Sequence, residues 1–180
     1  MVKNRLSVAL FGGSFDPPHI GHQTIVKKVL NLEIVDRVVI MPTFLNPFKS
    51  SSHATADMRL KWCRDMCSDP DVIICDYEIR QNRAVYTIES INYLKEQYEI
   101  KYLVIGSDNL AHIEYWREFE TINSTITWIV VDRNGYDSSY EKLRDYITIE
   151  MDIPISSSQI RARENKNITK GNNNEYRTKS

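Results

Sequence analysis

Leu6-Ser7-Val8-Ala9-Leu10-Phe11-Gly12-Gly13-Ser14-Phe15-Asp16-Pro17-Pro18-His19-Ile20-Gly21-His22 is the stretch that decides how this 180-residue chain folds. Its first six residues form a short apolar run, the pattern of a buried strand, and Gly12-Gly13 end it. From about Pro17 the pattern turns helical, with Ile25, Val26, Val29 and Leu30 at helical spacing. Asp16-Pro17 reads as an N-cap followed by proline at the first helical position. Strand, glycine turn and helix thus follow in order. The two glycines let backbone approach a ligand with no Cβ in the way. His19 and His22 stand three apart and so share a face of the first helical turn. Free N–H groups and the positive end of the helix dipole point the same way, which makes an anion site. Three of the six glycines and two of the four histidines fall between Gly12 and His22, while His53 and His112 stay unassigned.

Outward from this unit, strands and helices alternate. Arg37 to Met41 is a second strand stopped by Pro42, and Thr43 to Thr55 is a loop rich in Ser and Pro. A helix is expected over 57–67 with Met58, Trp62 and Met66 on one face, then a strand over 72–75. Thr87 to Gln97 reads as a helix with Ile88, Ile91 and Leu94 inward. Tyr102 to Ile105 is a strand closed by Gly106, followed by a short helical stretch from Asp108 toward Trp116. Ile126 to Val131, a helix over 139–146 and a weak strand over 147–149 complete the order. Short apolar strands alternating with helices predict an α/β fold, a single Rossmann-like domain with a parallel sheet covered by helices on both faces. In such sheets ligands bind outside the carboxyl ends of the strands, near the reversal of strand order. The domain is expected to span 1–163. Residues 164–180, with five asparagines and only Ile168 and Tyr176 as sizeable apolar groups, read as a polar tail.

Composition excludes several classes. With 23 Lys+Arg against 24 Asp+Glu, the chain lacks the basic excess of an electrostatic nucleic-acid binder, although a local basic pocket remains compatible. No stretch nears the roughly 18 apolar residues of a membrane helix, and the first residues carry no secretion leader. Cys63, Cys67 and Cys75 are odd in number and lack Cys-x-x-Cys spacing, so reduced thiols in the cytoplasm are expected. The Asn-x-Ser/Thr matches at Asn123 and Asn167 carry little meaning without secretion.

The turn is neither the Gly-x-Gly-x-x-Gly dinucleotide fingerprint nor a Gly-Lys-Ser/Thr phosphate loop. Gly12 to His22 instead resembles the signature of the nucleotidyltransferase superfamily with its His-x-Gly-His element, and most closely that of bacterial nicotinate-nucleotide adenylyltransferases. Pro154-Ile155-Ser156-Ser157-Ser158-Gln159-Ile160-Arg161 is similar to the family's second signature. Ser156 and Gln159 have capping-box spacing, and Ser158 and Arg161, three apart, can share a phosphate. Gly106-Ser107-Asp108-Asn109-Leu110 with Trp116 resembles the family's Gly-x-Asp-x-Leu block and its tryptophan. Tyr86-Thr87 matches half of a Pro-Ser-Tyr-Thr element, with Ala84 and Val85 departing from it. The loop Pro42 to Lys49 is similar to a Pro-x-x-x-x-Pro-His-Lys loop with Phe48 in place of His, and 131–136 resembles an Arg-x-Gly-Tyr stretch. Many members continue into a helix where this chain has its asparagine-rich tail.

The resemblance implies transfer of the adenylyl group of ATP to nicotinate mononucleotide, releasing pyrophosphate. His19, His22 and Arg161 would act on the reacting phosphates. Gly12, Gly13, Ser14, Phe15, Gly21, Gly106, Asp108, Ser156 and Ser158 would bind ATP. Asn46, Lys49, Tyr86, Thr87, Trp116 and Arg133 would take the mononucleotide, with Trp116 on the pyridine ring and the main chain near Tyr86-Thr87 on its carboxylate. No carboxylate cage for a metal is visible, which suits Mg2+ carried in by ATP. Phosphopantetheine adenylyltransfer, other adenylyl or cytidylyl transfer, use of nicotinamide mononucleotide and a non-catalytic nucleotide-binding module are the competing readings.

Overall fold

A computed structural model describes residues 6–132, 140–151 and 156–162. Arg133, Pro154, Ile155 and the tail expected over 164–180 lie outside these residues. The elements follow as β1 (Ser7–Gly13), α1 (Ile20–Leu30), β2 (Arg37–Pro42), α2 (Ala56–Met66), β3 (Val72–Ile74), α3 (Tyr77–Arg80) and α4 (Thr87–Lys95). Then come β4 (Glu99–Gly106), a 3-10 helix (Ser107–Tyr115), α5 (Phe119–Thr125), β5 (Thr127–Asp132), a 3-10 turn (Tyr140–Lys142) and β6 (Tyr146–Glu150).

The six strands form one sheet in the order β3-β2-β1-β4-β5-β6, and every neighbouring pair is parallel. Strand period 2 sorts the side chains onto two faces. Val8, Leu10, Leu103 and Ile105 pack with Ile88, Ile91 and Leu94 of α4 and with Ile113 and Ile122. Ala9, Phe11, Val104 and Ile129 pack on the other face with Ile25, Val26 and Val29 of α1 and Cys63 of α2. The predicted doubly covered sheet is what forms, and strand order reverses between β1 and β4. Gly12-Gly13 and Gly106 therefore stand at the carboxyl ends of the two strands that flank the crevice where such sheets bind ligands.

Three local expectations are corrected. The cap of α1 is His19, not Asp16. The Asp16 carboxylate instead accepts from the backbone N–H groups of His53, at 2.6 Å, and Ala54, at 3.0 Å. Met58, Trp62 and Met66 share one face of α2, as their spacing predicts, and border a groove with Pro17 and Pro18, Met66 also packing on the core. Arg59, Leu60 and Cys63 are the buried residues of α2. In place of the helix expected over 139–146 the described residues hold a 3-10 turn, and Tyr146 already pairs with Trp128. The backbone donors there are used elsewhere: the Arg144 N–H reaches Asn123 Oδ1 at 3.0 Å. Finally, α3 and α5 carry no helical signal in the sequence. The residues of α5, Phe-Glu-Thr-Ile-Asn-Ser-Thr, are mostly weak helix formers. Burial of Phe119, Ile122 and Asn123 holds that helix, and Asn123 Oδ1 also takes the Trp128 indole N–H at 2.9 Å.

Arg59 is fully buried. Its Nη1 donates to the carbonyls of Ser14 at 2.6 Å and Thr43 at 2.7 Å. Its Nη2 donates to Phe44 O at 2.8 Å and its Nε to Ala54 O at 3.3 Å. One planar fork thus ties the glycine turn to the Pro-rich loop. Burial disfavours its charge, and Asp16 offsets part of that cost. Replacing Arg59 by Met is expected to lower the unfolding free energy by about 3–5 kcal/mol, the usual cost of breaking a buried charged network. Arg59→Lys should recover only part, because an ammonium cannot reproduce the fork. Urea denaturation of the two variants checks this, and wild-type stability for Arg59→Met would show the network to be dispensable.

Candidate active site

The first turn of α1 builds its anion site from two histidines that cap each other. His19 Nδ1 accepts from the Gly21 N–H and His22 Nδ1 from the His19 N–H, both at 3.1 Å. An imidazole nitrogen that accepts carries no proton, so the proton of each neutral ring lies on Nε2. The rings lie close, with centroids 3.9 Å apart. Phe15 backs His22 at 4.9 Å and is itself buried against Phe11. Phe15 holds a left-handed φ of 47°, a strained position for a side-chain-bearing residue.

The glycines have separate reasons. A Cβ on Gly12 would meet nothing within 4 Å, so the missing side chain leaves open space in the cleft. A Cβ on Gly106 would lie 2.3 Å from Asp108 Oδ1, so glycine lets the Asp108 carboxylate fold back over the strand end.

The last described segment, 156–162, docks on the same turn. Its capping box forms as predicted: Gln159 Oε1 accepts from Ser156 N–H at 2.9 Å and Ser156 Oγ from Gln159 N–H at 3.2 Å. Ser157 Oγ donates to Pro17 O at 2.8 Å. Arg161 donates through Nη1 to Asp16 O and through Nη2 to Ser158 Oγ at 2.9 Å. Residues some 140 positions apart in sequence are thereby held at one mouth.

Two cavities open at the glycine turn. The broad cleft is lined by Gly12, Gly13, Ser14 and Phe15 with His19 and His22 on one side. Lys49, Asp108, Ser156, Ser158 and Arg161 complete it, together with His53 and His112. The narrower cavity is lined by Tyr86, Thr87, Gly106, Glu78 and Arg117. Gly12, Gly13, Asn46, Phe48, Asn109 and Trp116 border both. Trp116 also packs edge-on against the buried Trp128, with centroids 6.1 Å apart, so it is at once core and wall. The narrow cavity faces the N-terminus of α4, whose first N–H groups have no acceptor within the helix. Glu89 closes the N-cap by accepting the Tyr86 N–H at 3.1 Å. Arg83 at 2.7 Å, and then that N–H, hold the Glu89 carboxyl below its ordinary range.

Of the sequence-predicted site residues, Gly21 alone among those described stays off both cavity walls. It is buried behind the histidines and donates to one of them. Arg133 lies outside the described residues. Sequence reasoning missed Arg59, Asp16 as a loop anchor, Ser157, Arg117 and Glu78. Asp16 and Ser157 belong to quoted signatures, but no pattern marks the roles they take, and Arg59, Arg117 and Glu78 sit in no pattern at all. Arg117 lies over the Tyr86 ring at 5.0 Å. Burial pushes the three thiols up, Cys63 to about 12, which leaves them poorly reactive.

Comparison with known proteins agrees with this geometry. Residues 10–163 match the family model described as cytidylyltransferase-like. A probable nicotinate-nucleotide adenylyltransferase of Sulfurovum sp. (strain NBC37-1) is 45% identical over 160 residues, 88% of this chain and 85% of that one. One from Sulfurimonas denitrificans is 43% identical over 156 residues, 86% of this chain and 84% of its own. The solved structure of Plasmodium falciparum nicotinic acid mononucleotide adenylyltransferase complexed with NaAD superposes with a TM-score of 0.74. It covers 87% of this chain and 83% of its own, and its 22% identity speaks for the fold. On the family model and the sequence relatives, this chain belongs to the cytidylyltransferase-like nucleotidyltransferases and, within them, to the nicotinate-nucleotide adenylyltransferase family.

Proposed function

We propose that this chain joins the adenylyl group of ATP to nicotinate mononucleotide, giving nicotinate adenine dinucleotide and pyrophosphate, a step of NAD biosynthesis. One observation carries the reading: two cavities share the Gly12-Gly13 turn, Asn46 and Trp116. One is broad and lined by phosphate-type donors. The other is narrow, walled by Trp116 and Tyr86, and closed by a helix N-terminus. That is room for a nucleoside triphosphate and an aromatic nucleotide meeting at one point.

In this reading the mononucleotide phosphate attacks the α-phosphorus of ATP in line, and pyrophosphate leaves. A phosphate monoester has a second pKa near 6 and is largely deprotonated at neutral pH. No general base and no covalent intermediate is then needed, and catalysis consists of positioning and charge neutralisation. His19 and His22 offer Nε2–H donors to the oxygens around the α-phosphorus. Arg161, already oriented by Asp16 O and Ser158 Oγ, offers its planar fork to the departing phosphates. Lys49 and Asn46 serve the mononucleotide phosphate, Asp108 the ribose hydroxyls, and Arg133 is proposed as a further mononucleotide contact.

Among the described residues no group of three or more His, Cys, Asp or Glu is placed to cage an ion. Asp16 is also committed to two backbone N–H groups. Independently of that, Mg2+ is proposed as the divalent cation, one that would arrive with ATP and keep several waters. When bound, it neutralises charge on the leaving pyrophosphate. No helix among the described residues is long and apolar enough to cross a membrane. A cytoplasmic location fits the three free cysteines. We assign catalysis to 1–163 and read 164–180 as an appended tail.

A pyrophosphate-release assay with ATP and a panel of acceptors tests the assignment. Nicotinate mononucleotide should be preferred over nicotinamide mononucleotide and phosphopantetheine. Activity confined to another acceptor would overturn the reading, and inactivity with all of them would favour a binding module. His22→Ala should lower kcat by about 10²–10³-fold, as for loss of one oriented transition-state donor. Its unfolding free energy should fall by only about 1 kcal/mol, the value of the lost hydrogen bond. Gly12→Ala should keep its stability within about 1 kcal/mol, because its Cβ enters open space. Its ATP affinity, read by calorimetric titration, should fall at least about tenfold, which corresponds to some 1.4 kcal/mol.

A further inference from the structure

Glu78 of α3 lines the narrow cavity and is only 5% exposed. Its Oε1 accepts from Ser90 Oγ of α4 at 2.7 Å. Its Oε2 is buried and has no hydrogen-bond partner among the described residues. An unpartnered carboxylate oxygen buried in a protein is costly, and the cost is removed by a proton or by a ligand that donates to it. Thr43 Oγ1, also on this cavity wall, is likewise buried without a partner. The floor of the cavity thus holds polar atoms that the fold itself leaves unserved.

The two acceptors that compete for this cavity differ at one substituent, a carboxylate in one and a carboxamide in the other. A second carboxylate facing that substituent cannot be indifferent to it. We infer that Glu78 is a specificity-determining residue, which in its protonated form donates Oε2–H to the ring carboxylate of the acceptor and in its ionised form repels it. This inference rests on the proposed acceptor.

The surroundings support a proton on Glu78. Burial pushes its carboxyl up to about 7, the Ser90 hydroxyl opposes that rise, and Glu89 adds to it. The charged and titratable groups around it come from each packed element. Glu89, from α4, is paired with Arg83. Arg117 and Tyr86 share the cavity wall. Cys75, Asp76 and Arg80 are its own neighbours in sequence, and Asp76 and Arg80 pair with each other. No cation reaches Glu78 as an ion-pair partner among the described residues.

The folded enzyme holds the proton more tightly than the unfolded chain, so acceptor binding is strong below neutrality and weakens as pH rises through the Glu78 transition. With ATP saturating, the wild-type KM for nicotinate mononucleotide should rise roughly tenfold between pH 6.5 and 8.5. In Glu78→Gln, which is permanently neutral and keeps a donor, the same interval should change KM by less than about twofold. The variant shares the substrate's own titrations, so the difference belongs to Glu78. Ser90→Ala removes the hydroxyl that favours ionisation and should move the rise in KM to higher pH. The wild-type preference for the acid over the amide acceptor should fall with pH, and in Glu78→Gln it should stay level. A second readout is the melting temperature: Glu78→Gln should gain on wild type as pH rises from 5 to 8. A Gln variant that follows the wild-type KM course, or an active wild type with a flat KM, overturns the inference alone. A wild type inactive with nicotinate mononucleotide at every pH overturns the functional reading, and this inference with it.

Discussion

The site depends on a buried cation spent on backbone. Arg59 brings four carbonyls from two separate segments onto one guanidinium, and Asp16 brings two N–H groups of the same loop onto one carboxylate. Neither charge is available to a ligand. Together they make the glycine turn and the loop that starts at Thr43 a single rigid body. The entropy of ordering a loop of this length has to be met before any ligand arrives. Secondary structure cannot meet it, because the loop has none. The cation and the carboxylate do so by using donors and acceptors that such a loop would otherwise turn to water. Arg161 then fixes itself against the outward side of that body by donating to Asp16 O.

Electrostatics in this cleft are short-ranged by design of the fold. The chain as a whole is close to neutral, so its net charge supplies no general attraction for polyanions. In the proposed reaction the cleft would supply N–H dipoles and a few cations from its own wall: the imidazoles of His19 and His22, a guanidinium oriented by two hydrogen bonds, and Lys49. Oriented donors of this kind keep most of their effect in salt, unlike a diffuse surface charge. They also cost little reorganisation when charge moves from the α-phosphorus to the leaving group. The reciprocal histidine cap matters here. Each ring's Nδ1 is committed to backbone, which decides both the tautomer and the direction of the remaining donor.

Much of this could be read from residues, and what could not has a common cause. The sheet was legible because each strand is a short apolar run with its own stop signal: Gly12, Pro42, Gly106. In the cleft, Gly12, Gly13, His19, His22 and Ser156 stood out because glycine, histidine and Ser-x-x-Gln spacings carry a local mechanism, whereas Asn46, Lys49, Asp108 and Trp116 were expected from the family resemblance alone. The misread cap shows the limit. Asp16-Pro17 has every local property of a helix start, and the long-range partners His53 and Ala54 take its carboxylate instead. The helical period of α2 leaves two candidate faces, one with Met58, Trp62 and Met66 and one with Leu60 and Cys63. Which face is inside depends on the strand it meets. Arg59 and Glu78 escaped for the same reason. A charged residue in a sequence reads as surface, and only tertiary structure shows that it is buried.

These two buried charges do opposite things with their surroundings. Arg59 is encircled by carbonyls, so its charge is fully engaged and its role ends with the architecture. Glu78 lines the cavity with one oxygen engaged by Ser90 and the other buried without a partner among the described residues. A fold selected only for stability would be better served by glutamine or an apolar residue at that position, since a carboxyl driven toward neutrality contributes less stability as pH rises. Retaining an ionisable group costs the protein something at neutral and alkaline pH, while the wall beside it is completed by Trp116 and a helix N-terminus suited to an anionic ring. The imbalance lies between what the fold requires of position 78 and what occupies it. In the role inferred for Glu78, an acceptor carboxylate that takes a hydrogen bond from the protonated carboxyl would restore the balance.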